Sequence, residues 1–311
     1  MKTLKSAIGL GIAFLALGIS SLVPELASAA DGQETPAEPE VTSLLGRPLY
    51  ATPAAGEELA KLEKDLADAL ARRKARPNDP ESLILHGRRL AALWRYNEAI
   101  EIYTEGIMRW SDNAALFRHR GHRFISIREF EKAILDLVKA RTLKAGDFDI
   151  LYHLGLAFYL EGSYKMARPV YEACLAAAAD EGGVAAVSHW LYLTLRRLGQ
   201  DAEAAALLEG ITPDMPVGEN ISYLNLLLLY KGLKSEQDIL DLAATSPLDA
   251  ATLGNGLAVW RLVNGRRAEA LEIMEKILSL DYWPAFGFIA AEAELARLKA
   301  AGDPPRISQV P

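Results

Sequence analysis

The densest group of side chains capable of chemistry in this chain is the run Arg118-His119-Arg120-Gly121-His122-Arg123. Its three guanidinium groups could bind an anion through paired hydrogen bonds, and its imidazoles could accept or donate a proton near neutral pH. Residues 114–147 hold eight Lys or Arg against four Asp or Glu, a net charge of +4, in a chain whose total is −7. A basic segment within an acidic protein concentrates positive potential locally, which favours an anionic ligand.

The two histidines of this run, His119 and His122, are three residues apart, a spacing that suits a metal ion on one helix face. The neighbouring arginines oppose cation binding, so we predict no metal site and no cofactor. The chain also lacks the phosphate-loop, His-Glu-x-x-His and Gly-x-Ser-x-Gly patterns, which disfavours the enzyme classes that use them. Because the chain is acidic overall, we predict no nucleic-acid partner.

The elements that carry this run follow a repeat of 34 residues. The repeated glycines are Gly87, Gly121 and Gly155, followed after twelve residues by Ala99, Ala133 and Ala167, and four residues later by Tyr103, Leu137 and Tyr171. The units are Pro80–Asn113, Ala114–Asp147 and Phe148–Glu181. Small residues at fixed points on two successive apolar stretches predict a pair of closely packed helices in each unit. Such pairs bury their apolar faces only by stacking on their neighbours.

This pattern resembles the tetratricopeptide repeat, whose units carry a small residue in the first helix, an aromatic residue before the second helix and an alanine within it. The matching aromatic residues are Tyr96, Phe130 and Tyr164, and the alanines of two later units are Ala204 and Ala270. The resemblance covers roughly Pro80–Leu280. It implies an all-α fold, a right-handed superhelical solenoid of antiparallel helix pairs with about five to six units and capping helices. Ile221–Thr245 is predicted to be a degenerate unit, a helix pair without the signature.

The resemblance also implies a concave groove, lined by the first helices of successive units, that binds extended peptides. The residues at its outward positions are Arg88, Arg118, His122, Tyr152, Tyr159, His189 and Arg196. Guanidinium groups pair with carboxylates and tyrosines add rigid contact area, so the expected ligand is an acidic peptide, a free carboxyl terminus or another anion. A solvated helix face without a ligand is the alternative.

Several other residues receive a structural interpretation. Arg120 should turn inward and pair with Asp136 of the partner helix, an arrangement similar to one common in these repeats. The single cysteine, Cys174, is predicted to be a buried spacer. The run Gly254-Asn255-Gly256 is interpreted as a helix start.

The two ends of the chain differ in composition from the repeats. Residues 1–29 have the features of a cleaved signal peptide, with Lys2 and Lys5 before an apolar run and Ala27-Ser28-Ala29 as the cleavage site; a membrane anchor is the alternative. Residues 30–56 are rich in proline and predict a flexible tether, in which the apolar residues from Leu44 to Tyr50 either dock on the solenoid or stay loose. The remaining predicted segments are an N-terminal capping helix at 57–76, the solenoid with its C-terminal capping helix at 77–299 and a disordered tail at 300–311.

Three functions follow from these observations, and the sequence favours the first. It is an exported scaffold, periplasmic or secreted and without enzymatic activity, that binds a protein or peptide partner in its groove. The second is a carrier for a small anionic ligand. The third is an enzyme in the groove, with His122 or His189 as the base and Tyr152 as the acid. The oligomeric state is left open, because the final helix either covers the last repeat or packs against a second copy.

Overall fold

The computed structural model describes residues 38–52 and 54–302. The predicted signal peptide and residues 303–311 of the predicted tail lie outside these ranges. Within them the strands are β1 (Val41–Thr42) and β2 (Pro48–Leu49), and the helices are α1 (Gly56–Ala75), α2 (Pro80–Ala92), α3 (Tyr96–Arg109), α4 (Ala114–Ser126), α5 (Phe130–Leu143), α6 (Phe148–Glu161), α7 (Tyr164–Ala176), α8 (Glu181–Arg197), α9 (Asp201–Leu207), α10 (Ile221–Tyr230), α11 (Glu236–Ala243), α12 (Pro247–Val263), α13 (Arg267–Leu278) and α14 (Phe286–Ala300).

Helices α2 to α13 form six successive pairs, which confirms the predicted helical solenoid. The three predicted units are the pairs α2 with α3, α4 with α5 and α6 with α7. Helix α1 packs on α2 and covers the first pair. The predicted degenerate unit is a helix pair as well, formed by α10 and α11.

The first helix of each predicted unit begins at a capping residue that shares the spacing of the repeat. Asp79, Asn113 and Asp147 each accept a hydrogen bond from a backbone N–H in the first turn of α2, α4 or α6. A cap of this kind stabilises a helix by about 1 kcal/mol. The repeat therefore determines where each pair begins as well as how its helices pack.

The repeated glycines allow the two helices of a pair to touch. A Cβ atom on Gly87 would lie 2.5 Å from the ring of Tyr103, and one on Gly155 would lie 2.6 Å from the ring of Tyr171. At Gly121 the corresponding distance, to Leu137, is 2.8 Å. The predicted close approach of the helices is confirmed, and the bulky residues of the repeat are the side chains that fill the space left by the glycines.

The turn between the two helices of a pair requires a left-handed backbone conformation. In four pairs a glycine adopts it, with φ of 94°, 70°, 78° and 80° at Gly162, Gly199, Gly232 and Gly265. The first two pairs instead use Trp94 and Arg128, with φ of 58° and 68°. This conformation costs a residue with a side chain of order 1–2 kcal/mol. Both side chains are buried against the C-terminal segment, and those contacts offset the cost.

Helix α14 lies within the solenoid and does more than cover its last repeat. Residues 287–295 are all buried, and α14 contacts α12, α13 and also α6 of the third unit. A Cβ atom on Gly287 would lie 2.1 Å from the carbonyl oxygen of Ala251, so the backbones of α14 and α12 are in direct contact. The helix packs on the last pair, as expected of a capping helix, and in addition reaches the third unit. This helix is buried on all sides because its own polypeptide surrounds it.

Polar contacts fix α14 to the third and fourth units. Arg197 at the end of α8 lies 3.0 Å from the carboxylate of Glu294, whose side chain is 4 % exposed. Arg297 pairs with the same carboxylate at 2.8 Å and donates to the carbonyl oxygen of Leu160. Charged residues of α14 therefore hold the helix in place through ion pairs and hydrogen bonds, and they do not form a solvent-exposed face.

Residues 38–52 are docked on the solenoid, so the expectation of a flexible tether fails for this part of the segment. Strands β1 and β2 pair in antiparallel register with Val41 opposite Leu49, and Leu49 is only 2 % exposed. Trp283 Nε1 donates to the carbonyl oxygen of Tyr50 at 2.7 Å, and Arg47 Nη1 donates to that of Leu278 at 2.7 Å. Of the two alternatives for the apolar residues here, docking is the one observed.

The interpretation of Gly254-Asn255-Gly256 as a helix start is wrong, because all three residues lie in the interior of α12. A Cβ atom on Gly256 would lie 2.4 Å from the side chain of Leu226, so the glycine permits α10 and α12 to pack closely.

Cys174 is fully buried, as predicted. No helix among the described residues is long and apolar enough to cross a lipid bilayer.

Candidate functional site

The residues predicted to line the groove separate into three groups. The first is Tyr159 and His189, which are 3 % and 1 % exposed, so the expectation that they face outward is wrong. The ring of Trp190 packs edge-on against both, with centroids 5.1 Å from Tyr159 and 5.0 Å from His189. Desolvation lowers the pKa of His189 to about 3, so its imidazole is neutral at physiological pH.

The second group, Tyr152 and Arg196, makes its polar contacts within the protein. Tyr152 Oη accepts a hydrogen bond from Trp190 Nε1 at 2.9 Å, and burial raises its pKa well above the usual value. Arg196 Nε lies 2.8 Å from the carboxylate of Asp201, and its Nη1 donates to Tyr192 Oη at 2.8 Å. Tyr152 also bonds to Tyr223 of α10, and Arg196 Nη2 donates to Asn264 Oδ1, so both side chains are held by contacts between units. Their role in partner binding stays a prediction.

The third group, Arg88, Arg118 and His122, is brought together in one pocket. It has a volume of about 480 Å³ and opens to solvent. Helix α2 contributes Arg88, helix α4 contributes Arg118, His122 and also Arg123, and Asp149 of α6 completes the rim. We call this the arginine pocket. It lies where the first helices of the first three units face one another.

The arginine pocket holds three guanidinium groups and one carboxylate. Asp149 Oδ2 lies 3.6 Å from Arg118 Nη2, and the Asp149 side chain is 59 % exposed. Arg88 is exposed to solvent and forms no ion pair with the residues that the structure describes. The formal charge of the pocket is therefore positive even when Asp149 is counted.

Arg123 belongs to the basic run but was not among the residues predicted to line the groove. Its guanidinium group lies 5.1 Å from the ring centroid of Tyr96 and has no acidic partner within residues 38–52 and 54–302. Burial, with a smaller effect from Arg118, lowers its pKa. A partly buried charge without a counter-charge is unfavourable, so an anion in the pocket would stabilise it.

The imidazoles beside the arginines carry no charge at neutral pH. The ring of His119 stacks on Tyr103 with centroids 5.5 Å apart, and burial, followed by the charge of Arg118, lowers its pKa to about 2. His122 lies 4.2 Å from the ring of His153, and burial holds its pKa well below the usual value. In the described part of the protein, no three His, Cys, Asp or Glu side chains are placed to hold a metal ion.

Arg120, although part of the same run, does not reach the pocket. Its Nε and Nη2 atoms donate to the two carboxylate oxygens of Asp136 at 2.7 and 2.8 Å, and Nη1 donates to Thr104 Oγ1 at 3.0 Å. This confirms the predicted pair. The arginines of the run thus divide into one that stabilises the hairpin and two, Arg118 and Arg123, that line the pocket.

A second pocket adjoins the first and was not predicted. It has a volume of about 280 Å³ and is lined mainly by rings, so we call it the aromatic pocket. Its apolar walls are Trp94, Tyr96, Leu248, Tyr282 and Phe286. These residues come from the first unit, from α12 and from the segment leading into α14. No pattern of residues signals this site, because it forms only when α14 returns to the first units.

No family model matches the protein. Among curated proteins, tetratricopeptide repeat protein 12 of Homo sapiens is 26 % identical over 117 residues, which are 38 % of this chain and 17 % of that protein. The Mus musculus protein of the same name is 26 % identical over 114 residues, 37 % of this chain and 16 % of that protein. The match spans about a sixth of the length of these curated relatives.

Among solved structures, a tetratricopeptide repeat protein from Parabacteroides merdae ATCC 43184 is similar with a TM-score of 0.51 at 16 % identity, covering 77 % of this chain and 94 % of that one. MamA gives a TM-score of 0.43 at 23 % identity, covering 48 % of this chain and 86 % of that one. The first of these likenesses supports the fold. Together with the 34-residue units and their glycine-mediated packing, it identifies the fold as a tetratricopeptide-repeat solenoid.

Proposed function

We propose that this protein is an interaction scaffold without enzymatic activity, and that it binds an acidic peptide segment of a protein partner in the arginine pocket. The observation that carries the proposal is the charge imbalance there, where Arg88, Arg118 and Arg123 face the single carboxylate of Asp149. A carboxylate ligand would supply counter-charge and accept paired hydrogen bonds from a guanidinium group.

The position of the pocket supports the same conclusion. None of the residues that line it belongs to α14, although Phe286 at the start of that helix contacts His122 at 5.3 Å between ring centroids. The arginine pocket is thus open to solvent, whereas α14 covers the first helices of the third and sixth pairs, α6 and α12. An extended segment could reach the arginines without displacing the buried helix.

Acid–base catalysis has little support in this geometry. Burial lowers the pKa of His189 to about 3 and that of His122 well below its usual value, so neither imidazole is an effective base near neutral pH. The hydroxyl of Tyr152 is buried and bonded to Trp190 and Tyr223. The side chains suggested for an enzyme are therefore engaged in packing.

A small-anion carrier is the second candidate. The volume of the arginine pocket, about 480 Å³, is within the range of small-molecule sites. Its mouth is open to solvent, however, and a carrier site buries most of its ligand. Isothermal titration with acetate, phosphate and sulfate distinguishes this candidate, which requires saturable binding of a free anion.

The proposal is tested by the binding of short fluorescent peptides to the full-length protein, measured by anisotropy. One peptide set contains Asp and Glu residues, and a matched set has Asn and Gln in their place. We expect only the acidic set to bind, and Arg118→Gln to weaken binding. Arg141→Gln is the control, because it removes the same charge from an exposed position of α5 outside the pocket. Equal binding of the two sets, or equal loss in the two variants, would overturn the proposal.

We also propose that the protein is exported after removal of residues 1–29. The support is the sequence of that segment, in which Lys2 and Lys5 precede the apolar run and Ala27-Ser28-Ala29 follows it. Expression of the full-length protein in a bacterial host, followed by mass measurement of the intact protein from each cell fraction, tests this. A mature protein beginning at Ala30 outside the cytoplasm is expected, and an unprocessed product would contradict it.

A further inference from the structure

We infer that the preferred ligand carries a carboxylate next to a large apolar side chain, the carboxylate entering the arginine pocket and the apolar group entering the aromatic pocket. This inference rests on the proposed function and adds a second requirement to it.

The two pockets share a wall. His122 and Arg123 line both of them, so the pockets meet on either side of two successive residues of α4. Arg123 forms the boundary, because it lines both pockets and its guanidinium group lies 5.1 Å from the ring centroid of Tyr96 on the aromatic side. A ligand that filled both pockets would need its anionic and apolar groups on the same residue or on neighbouring residues.

The walls of the aromatic pocket are held rigidly. The ring of Trp94 contacts those of Tyr282 and Trp283 edge-on, with centroids 5.5 and 5.6 Å apart. Tyr96 packs on Trp283 in the same way at 5.5 Å. Such pairs contribute beyond the area they bury, so they help to hold these rings in place before a ligand binds. A preformed apolar wall lowers the entropic cost of binding an apolar side chain.

The aromatic pocket also has an exposed apolar rim. Leu248, in the first turn of α12, is 49 % exposed and lines this pocket. A leucine with this exposure would lose unfavourable contact with water if an apolar group covered it. Both pockets open to solvent, which suits a side chain projecting from a peptide whose remaining residues stay outside.

The tyrosines lining the two pockets are Tyr96 and Tyr103 of α3 and Tyr282, and the remaining charged or titratable groups come from three helices. Arg88 of α2, Arg118, His119, His122 and Arg123 of α4, and Asp149 of α6 are the groups concerned. The imidazoles are neutral at physiological pH, so the balance is three positive charges against one negative charge. One ligand carboxylate reduces this imbalance, whereas the aromatic pocket is lined mainly by apolar rings and suits an apolar group.

The experiment uses four short peptides that differ at two adjacent positions, Asp-Phe, Asp-Ala, Asn-Phe and Asn-Ala, each in a Gly-Ser background with blocked ends. A fifth peptide ends in Phe with a free carboxylate, so that side-chain and terminal carboxylates are compared. Binding to the full-length protein is measured by anisotropy. We expect Asp-Phe to bind about tenfold more tightly than Asp-Ala, the gain expected for burying an aromatic side chain. We also expect Asp-Phe to bind more tightly than Asn-Phe.

Two variants assign each requirement to its pocket. Leu248→Glu should remove the advantage of Asp-Phe over Asp-Ala, while Leu233→Glu, at another exposed leucine outside the pocket, should leave it intact. Acid in the first turn of a helix is favourable, so Leu248→Glu is compatible with folding of α12. Arg118→Gln should reduce the advantage of Asp-Phe over Asn-Phe.

The outcomes separate the two proposals. Equal affinity of Asp-Phe and Asp-Ala, both lost in Arg118→Gln, would overturn the adjoining apolar requirement and leave the acidic-peptide function standing. Binding of Asn-Phe as tight as Asp-Phe would overturn the function itself, as would the absence of binding by all five peptides. If the terminal carboxylate alone binds with the Phe advantage, the ligand is a carboxyl terminus; if Asp-Phe alone does so, it is an internal segment.

Discussion

Arg128 and Glu292 form a buried ion pair that joins the turn of the second repeat unit to the C-terminal helix. Arg128 Nη2 lies 2.8 Å from Glu292 Oε2, and the two side chains are 2 % and 1 % exposed. Glu292 Oε1 also accepts a hydrogen bond from the backbone N–H of Leu44 at 2.6 Å. One carboxylate thus connects three parts of the protein that are distant in sequence. Removing it is the most direct test of whether α14 and the N-terminal hairpin are held against the second unit.

Replacing Glu292 with alanine should strongly destabilise the protein. Arg128 would remain buried without a counter-charge, and breaking a buried pair in this way costs about 3–5 kcal/mol. Chemical denaturation measures the change in free energy of unfolding. Glu101→Ala, at an exposed position of α3, is the control and should change stability by less than about 0.5 kcal/mol. Similar effects of the two substitutions would show that α14 is not held as described.

The protein should lose stability as the pH falls from about 6.5 to 5. The pKa of each of the five histidines is lowered in the folded protein, chiefly by burial, to about 4 for His153 and about 3 for His189. Below the unfolded-state pKa of 6.5, the unfolded protein therefore binds protons that the folded protein does not. Each histidine contributes up to about 1.4 kcal/mol per pH unit.

Denaturation midpoints at several pH values measure this dependence. His189→Gln should reduce its slope, whatever the substitution does to stability at a pH of about 7.5 or above, where the imidazole is neutral in both states. A slope that is unchanged in the variant, or stability that does not fall in this interval, would contradict the burial of the imidazoles.

Arg120 and Arg118 should have opposite roles although they are two residues apart. Arg120→Gln removes the bidentate partner of Asp136, whose side chain is 9 % exposed, and should destabilise the fold by about 2–4 kcal/mol without a specific effect on peptide binding. Arg118→Gln should weaken acidic-peptide binding and change stability by less than about 1 kcal/mol. Thermal unfolding and anisotropy on the same two samples provide the comparison. The reverse pattern would mean that the wrong arginine has been assigned to the pocket.

Leu49→Ala should cost about 2–4 kcal/mol, because the side chain is 2 % exposed and its removal leaves a cavity. Leu44→Ala, at a side chain that is 40 % exposed, should cost less than about 1 kcal/mol. The difference in unfolding free energy between the two variants measures docking of the N-terminal hairpin. A flexible tether would give the same small effect at both positions.

The local part of this structure could be predicted from the sequence. The 34-residue spacing of Gly87, Gly121 and Gly155 determines the helix pairs, and the Arg120–Asp136 pair follows because its partners lie 16 residues apart in one hairpin. These relations depend on neighbours within one unit. The repeat pattern therefore contains the information that specifies them.

The path of α14 could not be predicted in this way. Its contacts with the second unit join residues 164 apart in the sequence, and no periodicity links them. Glu292 and Glu294 are acidic residues in an alanine-rich helix, a composition typical of a solvent-facing segment, yet both are buried. The burial of Tyr159 and His189 was missed for a related reason, because the helical position of a residue does not show which neighbour will cover it.

The central place of α14 also orders events during synthesis. A simple solenoid can add units one at a time as the polypeptide emerges, because each unit needs only its neighbours. Here Trp94 and Arg128, in the first two units, reach their final packing only with partners that lie at least 155 residues later in the chain. The first two units therefore reach their final packing only after α14 has left the ribosome. A product truncated before Tyr282 would lack the contacts that α14 and the segment before it make with the first four pairs and the sixth, so the stability of the whole fold depends on α14.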